Sequence, residues 1–462
     1  MHRILTYSTS KALATWYVLF NACLLSAQTA HTGMRDITGL EIAAEMAPGV
    51  NLYNTLDAVC WWCDQHNGLE SETVWGQPYT TPQMIEAIAD RGFRSLRLPV
   101  TWFNHMGPAP DYIIDKEWMD RVEEVANYAF DNDLYVILNI HHDDLQADQQ
   151  GSWLITTYEK QEEVSDQMAK VWTQIANRFI DYGDYLLFET MNEPREVGSP
   201  SEWNGGTQEH RDVVNALNLA AVNAIRATGG NNASRFIMTP QATASPQAAM
   251  SDLIIPNDDP NVIVSVHYYS PYRFCLEEPG TDTWGTENEK NTVRNDIKAI
   301  SDHFVKKGRA VVLGEWGAID KENLAARREY YKVLATACKA EGITPLAWFY
   351  SFDRNNLTWK YPELEDEILD AFNAEQPPVL GNLDVTGDLV IYPNPVSHQV
   401  NIDLPVQPSR ILLYASSGQE LMQWEPRGSA LQLDMKAFDK GIYLLQIELG
   451  DEVITRKLIV EH

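Results

Sequence analysis

Residues 134–144 read LYVILNIHHDD, and residues 185–194 read YLLFETMNEP. Each is a short β-prone run that ends in a burst of polar side chains. Six further runs have the same texture: Val50–Asn54, Ser95–Val100, Phe236–Thr239, Val262–Val266, Ala310–Gly314 and Thr344–Trp348. Helical patterns lie between them. Thr81-Pro82 sets a capping hydroxyl and a first-turn proline ahead of Met84, Ile85 and Ile88, with Gly92 after the end. Trp118, Val122, Val125 and Ala129 recur at i, i+4, i+7 and i+11, one apolar face. Further helices are expected over Glu159–Phe179, Gln208–Ala227, Glu289–Lys307 and Leu324–Glu341. Eight strand–helix units within residues 35–374 predict an α/β fold, a (β/α)8 TIM barrel. A doubly wound open sheet would show a Gly-rich phosphate turn after its first strand, and Asn51-Leu-Tyr-Asn54 is not one.

Outside that range the texture changes. Residues 375–387, beginning at the Gln-Pro-Pro run, read as a linker. Residues 388–462 alternate in short segments, Val400-Ile402-Leu404, Leu431-Leu433-Met435 and Tyr443-Leu445-Ile447-Leu449, and predict a small β-sandwich. At the other end, His2, Arg3 and Lys11 precede an apolar run from Ala12 to Leu25 closed by Ser26-Ala27. That is an export-signal pattern over residues 1–27. No later stretch is long and apolar enough to span a bilayer, so the mature chain is expected to have no integral membrane segment. Removal of the signal takes Cys23 with it and leaves Cys60, Cys63, Cys275 and Cys338, enough for two disulfides, one or none.

The 462 residues carry 35 basic and 65 acidic side chains, a formal charge of −30. Such a surface repels nucleic acid and anionic lipid, whereas a neutral polymer remains an open partner.

In a barrel of this kind, polar groups at the C-terminal strand ends are the ones that do chemistry. Those ends carry Arg97, His141-His142-Asp143-Asp144, Asn192-Glu193-Pro194, His267-Tyr268-Tyr269, Glu315-Trp316 and Trp348. Two carboxylates from opposite strands suit glycoside cleavage, in which one protonates the leaving oxygen and the other attacks or activates water. The attacking group needs to be ionised, which Arg97 and a Tyr269 hydroxyl would favour. The acid needs a raised pKa, expected from the neighbouring charge and apolar walls. Glu189 shares the facing of Glu193 from deeper in the barrel and reads as a buried hydrogen-bond partner. The His-His-Asp-Asp run lacks metal-site spacing, so no metal is expected, and the chemistry needs no cofactor. Trp102, Trp153, Trp203, Trp284 and Trp359 are either packed aromatics or stacking faces for sugar rings.

At these residues the sequence resembles glycoside hydrolase family 5, in particular its fourth subfamily of endoglucanases and xyloglucanases. The blocks are GVNLYNTLDA (49–58), Trp75-Gly76, GFRSLRLPVTW (92–102), YVILNIHHD (135–143), LLFETMNEP (186–194), SVHYYSP (265–271), VVLGEWG (311–317) and AWFYSFDRN (347–355), in the family's order. The resemblance implies a secreted, retaining endo-β-1,4-glucanase acting on β-glucan, cellulose or xyloglucan. Glu193 would be the acid/base and Glu315 the nucleophile. Arg97, His141, Asn192, His267, Tyr269 and Trp348 would be their companions, with Asn192 on the sugar 2-hydroxyl and Trp348 stacked before the cut. Asn54 and His142 would be further sugar contacts. Tyr53, where glycine is usual, and Asp144-Leu145, where Gly and Trp are common, depart from the pattern. A mannanase or xylanase on the same barrel and a non-catalytic polysaccharide-binding protein are the alternatives. The tail resembles the C-terminal sorting domain of type IX secretion, through Tyr392-Pro-Asn-Pro395, Gly441-Ile-Tyr443 and Lys457-Leu-Ile-Val460. It implies that the secretion machinery of a Gram-negative cell carries the chain to the surface or beyond.

Overall fold

The computed structural model describes residues 32–60, 68–144, 152–373, 390–403, 408, 410–415, 419–424, 430–449 and 452–461. The expected export signal, Cys23, Cys63, Leu145 and the linker lie outside these residues. The described parts form two units, divided at Asn373 and Ala374.

In the first unit, strands β1 (Gly49–Asn51), β2 (Ser95–Leu98), β3 (Tyr135–Asn139), β4 (Leu186–Glu189), β5 (Ile237–Pro240), β6 (Val262–Tyr268), β7 (Val311–Trp316) and β8 (Thr344–Ala347) close into one parallel barrel in sequence order. Helices alternate with them: α1 (Gly39–Glu45), α2 (Pro82–Arg91), α3 (Lys116–Phe130), α4 (Gln161–Arg178), α5 (Gln208–Ala227), α6 (Pro246–Asp252), α7 (Tyr272–Cys275), α8 (Glu287–His303), α9 (Leu324–Glu341) and α10 (Pro362–Asn373). The predicted TIM barrel is the observed one.

The details differ from expectation where local chemistry differs. Pro82 opens α2, but the Thr81 hydroxyl makes no cap bond; Gly92 ends the helix at φ 112°, a left-handed position that glycine takes without strain. The helix expected over Glu289–Lys307 starts earlier, because Thr286 and Glu289 form a reciprocal capping box, and stops at His303. Strands β6 and β7 run two residues past their expected ends and so carry His267 and Glu315 inside the ladder.

The barrel floor is apolar. Ile137, Leu187, Met238, Ile263, Val312 and Leu346, from six strands, form one cluster with Ile42, Ala43 and Met46 of the α1 segment. Ser95, the first residue of β2, donates to the Met46 carbonyl at 2.7 Å, and Thr344, the first of β8, donates to that of Ala43. Helix α1 therefore seals the N-terminal end, leaving the C-terminal end for chemistry. Cys60 is disulfide-bonded. Cys275 and Cys338 are free thiols, both buried.

The described strands of the second unit pair antiparallel. Its sheets are β9 (Val390–Tyr392), β10 (Gln399–Asp403) and β13 (Ala430–Asp434), then β12 (Glu420–Trp424), β11 (Arg410–Ala415), β14 (Gly441–Leu449) and β15 (Glu452–Val460). Val400, Ile402, Leu433, Ile411, Leu413, Leu445 and Ile447 from both sheets share one core, the expected small β-sandwich. Among the described residues, no helix of either unit is long and apolar enough to cross a membrane.

Candidate active site

The centre of the site is a buried cation. Arg97, on the inner face of β2, is fully buried and donates in four directions. Nε bonds Glu189 at 2.7 Å, Nη1 bonds Asn51 at 2.9 Å and Glu315 at 2.8 Å, and Nη2 bonds the Asn192 side-chain oxygen at 2.8 Å. Burial works against the guanidinium's charge, and the Glu189 and Glu315 charges more than restore it. Glu189 also accepts from Asn139 at 3.0 Å and Ser265 at 2.6 Å. It is the buried hydrogen-bond partner expected.

Glu315 is placed by β7. Besides Arg97 on one oxygen, it accepts the Tyr269 hydroxyl on the other at 3.0 Å. Burial, with the Glu315 and Glu193 charges, keeps that phenol protonated and hence a donor. Glu193, in the turn after β4, faces it. Its Oε1 lies 2.7 Å from Nδ1 of His267, which is itself 3.7 Å from the second Glu315 oxygen. Ligand atoms of Glu193, His267 and Glu315 all lie within 4.8 Å of one another. A one-residue shift in the β6–β7 ladder between Val266 and His267 brings His267 opposite Glu315, leaving Gly314 unpaired with it. A Cβ on Gly314 would meet His267 Nε2 at 3.1 Å, so the bare glycine makes room for the imidazole.

Charge in this trio is shared differently from the expectation. Burial holds the Glu315 carboxyl above its usual range, although His267 and Arg97 oppose it. Burial pushes Glu193 up too, but the His267 hydrogen bond and charge outweigh it and hold the group below its usual range. His267, lowered by burial, is raised overall by the two carboxylates. The imidazole contact thus favours the ionised form of Glu193 and the protonated form of His267, the reverse of the raised acid expected. The cause is the 2.7 Å imidazole contact, which no residue spacing announces. The two carboxylates differ in kind: Glu315 accepts from a permanent cation and a phenol, while Glu193 is hydrogen-bonded to a titratable imidazole.

The remaining expected residues lie around this core. His141 is buried, with Nδ1 3.1 Å from the Asn139 amide, and burial holds it well below the usual imidazole range. Its ring lies parallel to Trp348 (4°, 5.7 Å) and edge-on to His142 at 4.3 Å. Burial and Arg195 push His142 down to about 3. Asn54 sits at φ 57° in the turn after β1 and donates its backbone N–H to Asp57 at 3.1 Å. Of the candidate stacking indoles, Trp102, Trp153 and Trp284 are core residues, whereas Trp203 is 62% exposed. Sequence reading missed Asn51, Asn139 and Ser265, whose signal was a polar residue inside an apolar strand. It also missed Arg195, which pairs with Asp144 and Glu202, donates to the Glu193 carbonyl at 3.2 Å and packs on Trp203.

The model of cellulase (glycosyl hydrolase family 5) matches residues 58–354, through this whole constellation. The chain belongs to glycosyl hydrolase family 5. As a family-5 member it is a glycoside hydrolase. Endoglucanase B of Clostridium cellulovorans is 49% identical over 366 residues, 76% of this chain and 79% of that protein. The family-5 subfamily-4 broad-specificity endoglucanase of Ruminococcus champanellensis, solved with bound cellotriose, superposes with a TM-score of 0.69 at 40% identity, covering 73% of this chain and 99% of that one. That of Clostridium acetobutylicum gives 0.67 at 46% identity, with 72% and 100% covered. The second unit matches the secretion system C-terminal sorting domain over residues 390–461.

Proposed function

We propose that this family-5 chain is a retaining endo-β-1,4-glucanase in which Glu315 is the nucleophile and Glu193 the acid/base. The observation that carries the reading is the spacing of the carboxylates, with oxygens within 4.8 Å. Retaining enzymes hold their two carboxyls about 5–5.5 Å apart, and inverting ones leave about 6.5–9.5 Å for a water. Glu315, charged against Arg97, attacks the anomeric carbon as Glu193 protonates the departing oxygen. A water, deprotonated by Glu193, then displaces Glu315 and restores the configuration. His267, 2.7 Å from Glu193, lends and recovers the proton between these steps. Arg97 occupies the Asn192 oxygen and leaves its amide N–H2 for the sugar 2-hydroxyl. Trp348, His141, His142 and Asn54 serve the sugars before the cut. The endoglucanase activity of the relatives supports an internal cut in β-glucan, cellulose or xyloglucan. The matched sorting domain supports export by type IX secretion to the cell surface or medium.

The test is digestion of barley glucan and xyloglucan with analysis of product size and anomer. Internal cuts releasing β-anomers are expected, and Glu315→Gln and Glu193→Gln each should lose at least about a hundredfold in turnover while folding normally. α-Anomeric products, activity on mannan alone, or near-normal turnover in either variant would overturn the reading.

A further inference from the structure

Tyr53, in the turn after β1, is built into a stack that the two-carboxylate chemistry does not require. Its ring lies against the indole of Trp348, with centroids 5.2 Å apart and planes at 29°. The guanidinium carbon of Arg354 lies 4.8 Å from the same phenol centroid, and Tyr350 meets it edge-on at 5.4 Å. Arg354 is only 4% exposed and is fixed at both ends. Nη1 donates to the Tyr53 carbonyl at 2.8 Å, and Nη2 donates to the Tyr350 hydroxyl at 3.2 Å. The turn after β1 and the loop after β8 are thereby joined through a guanidinium, a phenol and an indole.

Trp348 itself is half-buried, and its backbone N–H is pinned to the Trp316 carbonyl at 2.9 Å. Pinning the backbone leaves two side-chain torsions free. An unbraced indole would have to be ordered by each arriving sugar, at a cost in side-chain freedom. A ring stacked on it in advance removes that cost.

We propose that Tyr53, clamped by Arg354, is a positioning residue that fixes the plane of Trp348, and with it the plane on which a β-1,4-linked glucose ring stacks before the cut. The proposal rests on the sugar contact of Trp348 given above. Because the stack acts on binding and does not touch the carboxylates, its effect falls on KM rather than kcat.

The experiment is steady-state hydrolysis of cellopentaose by the full chain and its variants, with a melting curve for each. Tyr53→Ala is expected to raise KM about three- to tenfold, the scale of one aromatic pair, with kcat within about twofold. Tyr53→Phe keeps the ring and should behave as wild type. Should Tyr53→Ala melt early, Tyr53→Leu, with apolar bulk but no plane, carries the same expectation. An unchanged KM in the non-aromatic variant, a loss confined to kcat, or a Tyr53→Phe as defective as the alanine would overturn the inference. Trp348→Ala separates the two layers: an unchanged KM there strikes the sugar contact itself, and a raised KM beside a normal Tyr53 variant strikes only the positioning role.

Discussion

His267 is where the working pH of the site is set. It lowers the proton affinity of both carboxylates, alongside Arg97. Replacing it with asparagine removes that influence, so both carboxyl pKa values rise. In the proposed mechanism Glu315 must be ionised to attack, so the acidic limb of kcat/KM should move to higher pH. A pH–rate profile of His267→Asn in which the acidic limb does not move up would contradict this account. Arg97 plays a heavier part. Arg97→Met would strand the buried carboxylates of Glu189 and Glu315, and loss of one partner of such a pair costs about 3–5 kcal/mol. Denaturant unfolding should show that loss, whereas a mere drop in activity at full stability would not fit. The polar cluster at the barrel mouth was legible because its chemistry is rare at strand ends: two glutamates, an arginine and histidines gathered from distant segments. The way charge is shared within it was not legible, because that depends on one 2.7 Å contact between residues 74 positions apart.

At the level of elements, what matters is how β6 and β7 are aligned. The ladder shift beside His267 sets that residue against Glu315, and Gly314 leaves room for its ring. Gly314→Ala would force the imidazole or Ser265 aside by a few tenths of an ångström. We expect turnover to fall about ten- to a hundredfold, as misplacement near reacting groups does, with only modest loss of stability. Unchanged turnover would show that the imidazole has slack. Strand identities were readable from apolar runs between helical periodicities, and α5 and α9 fall at their expected bounds, Gln208–Ala227 and Leu324–Glu341. Ends were harder. The extension of β6 and β7 through His267, Tyr268, Glu315 and Trp316 reflects hydrogen bonding with neighbours far off in sequence, which local texture does not encode. Helices α1, α6 and α7 were missed because they are short, 7, 7 and 4 residues, too brief for periodicity to register, and the 12-residue α10 was missed with them.

As a whole, the molecule is two units with separate cores, Val50 to Leu369 among one and Val396 to Val460 in the other. A unit with its own core folds on its own. Truncation after Asn373 should therefore leave the kcat/KM on glucan within about twofold, since the site draws on the barrel alone, while export from the producing cell is lost. Enzyme assays on the shortened chain, paired with activity measured in the culture medium, check both halves. Among the described residues, two free thiols lie in the barrel unit. Burial pushes Cys275 up to about 12 and raises Cys338 as well, so neither forms the reactive thiolate while the barrel holds together. An alkylating reagent should leave them untouched in the native enzyme and label them only as the barrel opens. They make a clock inside the protein, one whose ticking records each excursion of the scaffold without any reporter being added.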